Sequence, residues 1–519
     1  MTVRPVLAVF ILSGAAGLMY EVVWARQLVL MFGNTTQAVS AILTGFFGGM
    51  AIGSAIGGRI ADRVRNGLRL YGVLEVVLVF VVLATPFTFG LIKEAYRGIY
   101  PVLREQPQVL ALVRFALALL ALGPATVLMG ATLPSLTRYL SRDAGHLSAA
   151  FGRLYAANTI GAILGTAAAG LVLIELLGLM GTLIVGASCS AIAGLAALAL
   201  SRRRLAGAAT AHRVGGHVVE AVPEVSPAQS LAVELALGTR RRIALLVAFV
   251  SGLTSLGYQT LWTRLLANGT GNYTYVFTGI LTTFLIGLAL GAVTFSILRP
   301  RLRRPIASLA LAQTAVAVVA ALGVVLLTTR GMFAPLWQTV PLVVLPATII
   351  MGLSFPLASA LIASDDAHVG TDSGTLLAAN TLGGITGTFI IPFFVIPAIG
   401  APTAVGVLAL VNLALAATLA VVGGRPAPTR RFALAINGVL AALLAVALAT
   451  GGVFRDPTVA RLATLEDAVL FASAEDEIAA VQAGAVDGQP QLWVTGTSMT
   501  LLTIDAKLMP ILPLIARPN

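Results

Sequence analysis

From residue 5 onward the chain alternates long apolar runs with short polar breaks. Apolar runs of about 18 residues or more read as membrane-crossing helices, because a helix of that length spans the hydrocarbon layer. The pattern predicts spans near 5–31, 37–60, 70–92, 110–138, 150–178 and 180–200, then 242–268, 274–298, 306–328, 333–362, 374–398 and 401–422, and a thirteenth near 431–450. Between the sixth and seventh spans, residues 201–241 are polar and flanked by arginines, which predicts a linker. Beyond 450 the alternation shortens to period two around "DGQP" (487–490), which predicts two or three strands, and "DAKLMPILPLIARPN" (505–519) reads as helical.

The spans repeat. Residues 13–54 align without a gap onto 251–292, "SGAAGLMYEVVWARQL" onto "SGLTSLGYQTLWTRLL", with 17 identities in 42 positions. Unrelated apolar segments share far fewer. At a second offset "PATVLMGATLP" (124–134) matches "PATIIMGLSFP" (346–356), and "AANTIGAILGT" (156–166) matches "AANTLGGITGT" (378–388). Two six-helix halves in one orientation follow, related by an axis along the membrane normal, an arrangement that places a working cavity between them near the midplane. The predicted organisation is a first repeat over 1–200, a linker over 201–241, a second repeat over 242–422, an extra helix within 423–450 and a β-rich module over 451–519. Gly45, Gly49, Gly53 and Gly57 share one helix face, as do Gly161 with Gly165 and Gly383 with Gly387, which predicts close backbone packing.

Composition narrows the class. Hydrophobic residues make up 58% of the chain and charged ones 10%, which excludes an ordinary soluble domain. The net charge of +12 comes from arginines flanking the apolar runs, so it orients helices rather than binding nucleic acid. "GGRIADRVRNGLR", "SRRR", "TRRR" and "LRPRLRRP" all fall on one side, which predicts a cytoplasmic N-terminus and linker in an inner-membrane protein. A lone cysteine, Cys189, excludes an intramolecular disulfide and a CxxC site. All four histidines fall in connections, and no metal-ligand spacing is present.

Glu21 sits near the middle of the first span, where a carboxylate costs roughly 2.5–3.5 kcal/mol. Gly17, Tyr20, Glu21 and Trp24 share a face, while Arg26 lies too far round the helix to neutralise Glu21. The repeat carries Tyr20, Trp24 and Arg26 over as Tyr258, Trp262 and Arg264 but replaces Glu21 with Gln259. Glu21 is therefore a candidate cation or proton site, with a structural hydrogen bond or ion pair as the alternative. Tyr20, Trp24, Tyr258 and Trp262 read either as its neighbours or as packing anchors, and Asn158 and Asn380 either line the cavity or bridge helices. Pro124, Pro134, Pro346 and Pro356 predict kinks, whereas Glu75 and Glu175 fall toward span ends and are assigned no role. No catalytic residue is assigned.

"GGRIADRVRNGLR" (57–69) resembles the loop between the second and third helices of major-facilitator transporters, which implies a conformational latch at Asp62 and Arg63. Together with the first-helix block, "NTIGAILGT" and the tail, the chain resembles the membrane-bound fused major-facilitator/spermidine synthases. That resemblance implies an all-α polytopic membrane protein of two parallel six-helix repeats, one extra helix and a small C-terminal β-rich module opening a synthase domain. It also implies polyamine-related aminopropyl transfer, with decarboxylated S-adenosylmethionine as co-substrate bound by a Rossmann-like domain. No glycine-rich turn follows a strand in this tail, so the residues read here hold no cofactor site, and a soluble Rossmann-like partner would have to supply one. The alternatives are a transporter of a small solute, cationic if Glu21 binds it, and a non-catalytic membrane anchor.

Overall fold

The computed structural model describes residues 3–32, 36–103, 106–144, 147–211, 227–267, 273–302, 304–330, 336–362, 369–423, 426–475, 480–494 and 497–498. The first half comprises α1 (Arg4–Phe32), α2 (Thr36–Arg63), α3 (Gly67–Leu103), α4 (Pro107–Ala144), α5 (Leu147–Ala168) and α6 (Ile174–Ala211). The second comprises α7 (Pro227–Ala267), α8 (Tyr273–Leu298), α9 (Pro305–Arg330), α10 (Leu336–Ser359), α11 (Val369–Ile390), the short α12 (Ile396–Ile399) and α13 (Ala401–Val422). α14 (Ala427–Thr450) is the extra helix. Eleven described segments are long and apolar enough to cross a membrane. One of them, Gly152–Arg202, counts once although it bends at Gly178 into two legs, and the glycine-rich α2 is not among them.

The two offsets of the sequence repeat recur in the packing. A side chain at Gly49 would strike the Thr126 hydroxyl and one at Gly53 the Val127 carbonyl, and Gly287 and Gly291 meet Thr348 and Ile349 in the same way. Gly161 and Gly165 lie against the α1 backbone at Ile11 and Ala15, as Gly383 and Gly387 lie against α7 at Phe249 and Leu253. Bare glycines let these helices touch backbone to backbone, gaining dispersion contacts that lipid tails cannot match. The last turns of the fifth and eleventh spans widen to π-helix (Ala169–Leu173 and Ile391–Val395), each followed by a left-handed glycine, Gly178 (φ 69°) and Gly400 (φ 76°). A β-carbon is disfavoured there, so glycine lets the chain turn back into the bilayer.

Two expectations change. The stretch read as a linker is helical at both ends: α6 continues to Ala211 and α7 begins at Pro227. Its arginines masked a background of alanine and leucine, the strongest helix formers. The tail builds four strands, β1 (Ala468–Glu475), β2 (Ala480–Val486), β3 (Gln489–Val494) and β4 (Thr497–Ser498), in an antiparallel sheet ordered as in the chain. Asp487 and Gly488 (φ 50° and 71°) form the two-residue turn that pairs Val486 with Gln489. A short helix, α15 (Pro457–Leu462), precedes the sheet, and Asp456 caps it by accepting from the Thr458 and Val459 N–H groups. The helix expected over 505–519 lies outside the described residues.

Candidate functional site

Ser13, Gly17 and Glu21 recur every four residues on α1, so one face of that helix carries all three. They line a cavity of about 260 Å³ between the halves, walled by α1 to α5 on one side and α7 to α11 on the other. Phe46, Phe47, Phe284 and Phe355 make most of the wall apolar. Glu21 is buried at 8% exposure, and among the described residues it has neither a hydrogen bond nor an ion pair. Its repeat mate Gln259 lines the opposite wall, and Asn158 and Asn380 line the cavity from α5 and α11.

The aromatic candidates lie elsewhere. Tyr20 stacks on Trp24 at 5.5 Å and Tyr258 on Trp262 at 5.4 Å, all four fully buried away from the cavity. Tyr20 donates to Ser190 Oγ (3.1 Å), while the Tyr258 hydroxyl accepts from Asn412 Nδ2 (3.0 Å) at the matching place. Trp24 Nε1 donates to Thr85 Oγ1 (3.1 Å), whereas glycine, Gly323, occupies that place in the second half and Trp262 Nε1 has no partner among the described residues. Adjacent helical positions point about 100° apart, so Tyr20 and Trp24 turn into their own half while Glu21 turns inward. These four residues pack inside their own halves and are not part of the cavity lining.

Glu75 is the residue that reading by span position missed. It is fully buried beneath the cavity wall; Ser13 donates to one carboxylate oxygen, the Tyr71 and Ser190 hydroxyls lie nearby, and among the described residues none makes a close hydrogen bond to the other oxygen. Extending the repeat from α1–α2 to α3 pairs Glu75 with Gln313 of α9, whose amide donates to Ser251 (3.1 Å), the mate of Ser13, and to Ser354 (3.3 Å). Both buried acids of the first half are thus amides in the second. The unextended alignment, ending at residue 54, concealed this.

At the other proposed site, Asp62 joins the halves. Its carboxylate accepts from the Gly370 N–H (2.8 Å), the Thr371 N–H (2.7 Å) and the Thr371 hydroxyl (2.5 Å), capping α11. Arg138 Nε of α4 lies 3.6 Å away. Arg63, read as the basic member of the latch, is exposed; the buried cation is Arg138. Gly58 lies on the Gly370 carbonyl beside this contact. At the far end of the same helix pair Thr44 Oγ1 meets Thr388 Oγ1 at 3.3 Å, so the halves touch at both ends of the cavity.

The Major Facilitator Superfamily profile matches residues 6–388, most of the chain. The chain belongs to the Major Facilitator Superfamily. Among solved structures, this Major Facilitator chain is similar to a bacterial homologue of the iron transporter ferroportin in its outward-facing state, at 15% identity and a TM-score of 0.54, covering 82% of this chain and 98% of that one. It is also similar to the E. coli fucose:proton symporter, at 15% identity and a TM-score of 0.50, with the same coverage. At these identities the likeness is one of fold. No curated protein matches the sequence. Nothing in these comparisons supports a spermidine synthase fusion, and the β module lies beyond the matched residues.

Proposed function

We propose that this protein carries a small solute across the membrane by opening the central cavity alternately to either side, with Glu21 holding a cationic substrate or a coupling proton. The observation that carries the reading is an unpartnered carboxylate facing a cavity walled by both halves. Among apolar walls a charge acts far more strongly than in water, so Glu21 favours a cation over a neutral solute. Asn158, Asn380 and Gln259 offer amides to the polar groups of the same solute, and a volume of about 260 Å³ suits a small organic cation, polyamines included. In this reading the repeats over 1–200 and 242–422 are the moving halves, and the Asp62 contact holds them together at one end. The arginine distribution supports placing that end, the N-terminus and the linker in the cytoplasm, with the β module on the opposite face.

Family membership supports solute transport over aminopropyl transfer and over a passive anchor. The test is uptake into proteoliposomes of putrescine, spermidine and a neutral sugar. Glu21→Gln lowers saturable uptake of the cation at least about tenfold, the loss expected for one charge-assisted contact of about 1.5–3 kcal/mol. Undiminished cation uptake in Glu21→Gln would return that residue to a structural role.

A further inference from the structure

α14 stands outside the two six-helix halves and packs mainly along α13, leaving most of its surface exposed. Where α9 and α14 begin, at the membrane end that carries Asp62, the two helices diverge around a groove of about 520 Å³. Leu311 on one wall and Phe432 and Ile436 on the other are exposed, and Ala420 of α13 closes the back. The floor is polar: Thr314 Oγ1 donates to Asn437 Oδ1 (2.9 Å). Arg301 and Arg304 line the mouth together with the Ser308 and Thr429 hydroxyls, and Arg430 and Arg431 follow on the first turn of α14. None of these four exposed arginines forms an ion pair with a described residue.

We infer that this groove is a binding site for an anionic glycerophospholipid, its phosphate held by Arg301 and Arg304 and one acyl chain lying between Leu311 and Phe432. Two features single out that occupant. The walls are apolar and open sideways, where a lipid chain can enter and a water-soluble solute gains nothing. The mouth concentrates unneutralised guanidiniums at headgroup depth beside the Thr429 hydroxyl, a donor set that fits a phosphodiester, while the Ser308 hydroxyl donates to the Arg304 carbonyl (3.2 Å). Arginines that merely orient helices need only lie at the helix ends. These converge on a groove that exists only because α14 leans against the second half. A lipid there bridges α9 to α14 and anchors the extra helix to the transporter body.

Native mass spectrometry of the purified full chain with equal amounts of phosphatidylglycerol and phosphatidylcholine tests this. Wild type retains phosphatidylglycerol selectively. Combining Arg301→Ala with Arg304→Ala weakens retention about thirtyfold, the loss expected for two guanidiniums at a lipid phosphate. Leu311→Trp, which fills the groove at an exposed position and leaves the charge unchanged, also weakens it. Combining Arg240→Ala with Arg242→Ala, the same charge loss at exposed positions of α7, leaves retention at the wild-type level, and inorganic phosphate does not displace the lipid. Equal retention of both lipids, equal losses in the two double variants, an unaffected Leu311→Trp or displacement by phosphate alone would each overturn the assignment.

Discussion

Glu75 and Gln313 set one side-chain shape in the same hydrogen-bonded place twice, once as an acid and once as an amide. A buried carboxylate with an unpaired oxygen is expensive, and an amide of equal size carries no charge into that place. Glu75→Gln is therefore expected to unfold in detergent at a temperature equal to or above that of wild type. Glu75→Leu strands the Ser13 hydroxyl and costs about 1–3 kcal/mol. A clear drop in the midpoint of Glu75→Gln would show that the acid itself holds the fold. Glu21 differs because it faces open volume, so its replacement is read in uptake rather than in stability. Glu21 was legible in the sequence because it breaks a strong local repeat. Glu75 was not, since depth along a span says nothing about which face a neighbouring helix covers.

The glycine-lined crossings carry the element-scale architecture. Gly53 has the Val127 carbonyl where a β-carbon would go, and backbone on both sides leaves nothing that can rotate aside. Gly53→Val should cost at least about 1–3 kcal/mol by overpacking, read as a lower thermal midpoint or loss of folded protein. Val tolerated without change would mean that α2 and α4 are not in contact. The four-residue glycine spacing made this crossing visible in the sequence. The docking of the tail was not visible, because it depends on a contact between residues far apart in the chain. Glu475 of β1 accepts from the Ala401 N–H (3.1 Å) at the start of α13 and pairs with Arg264 Nε (3.4 Å) at the end of α7.

Burial raises the Glu475 carboxyl above the usual carboxylate range, against the opposing pull of the Ala401 N–H and the Arg264 guanidinium. The docked module therefore binds a proton more tightly than the unfolded chain does. Its stabilisation is complete below the ordinary glutamate range and declines as pH rises through the raised value. The thermal midpoint of the module, followed by tryptophan fluorescence through buried Trp493, should fall with rising pH across that interval in wild type and stay level in Glu475→Gln. Parallel slopes in the two proteins would remove Glu475 from the clasp.

At the scale of the whole molecule, two like halves meet around a cavity and touch at both ends of the α2–α11 pair. The duplication was legible because helix packing reuses the same small residues, and Asp62 was legible through its loop motif. The buried partner Arg138 was not, because its place in the second half is taken by Ala360 and no repeat marks it. Asp62→Ala removes three hydrogen bonds across the halves and should open that end. A cysteine replacing buried Ser54 would then alkylate faster than in the parent with Asp62 intact, and an unchanged rate would show that the contact is not a latch.

The central claim is that one cavity serves both faces of the membrane. Ser255 lines it from the second half, and Ser255→Cys in a Cys189→Ser background places a single thiol there. Labelling with a membrane-impermeant maleimide, in right-side-out and in inside-out vesicles, should modify that thiol in both orientations. Labelling from one face alone, or from neither, would contradict the account.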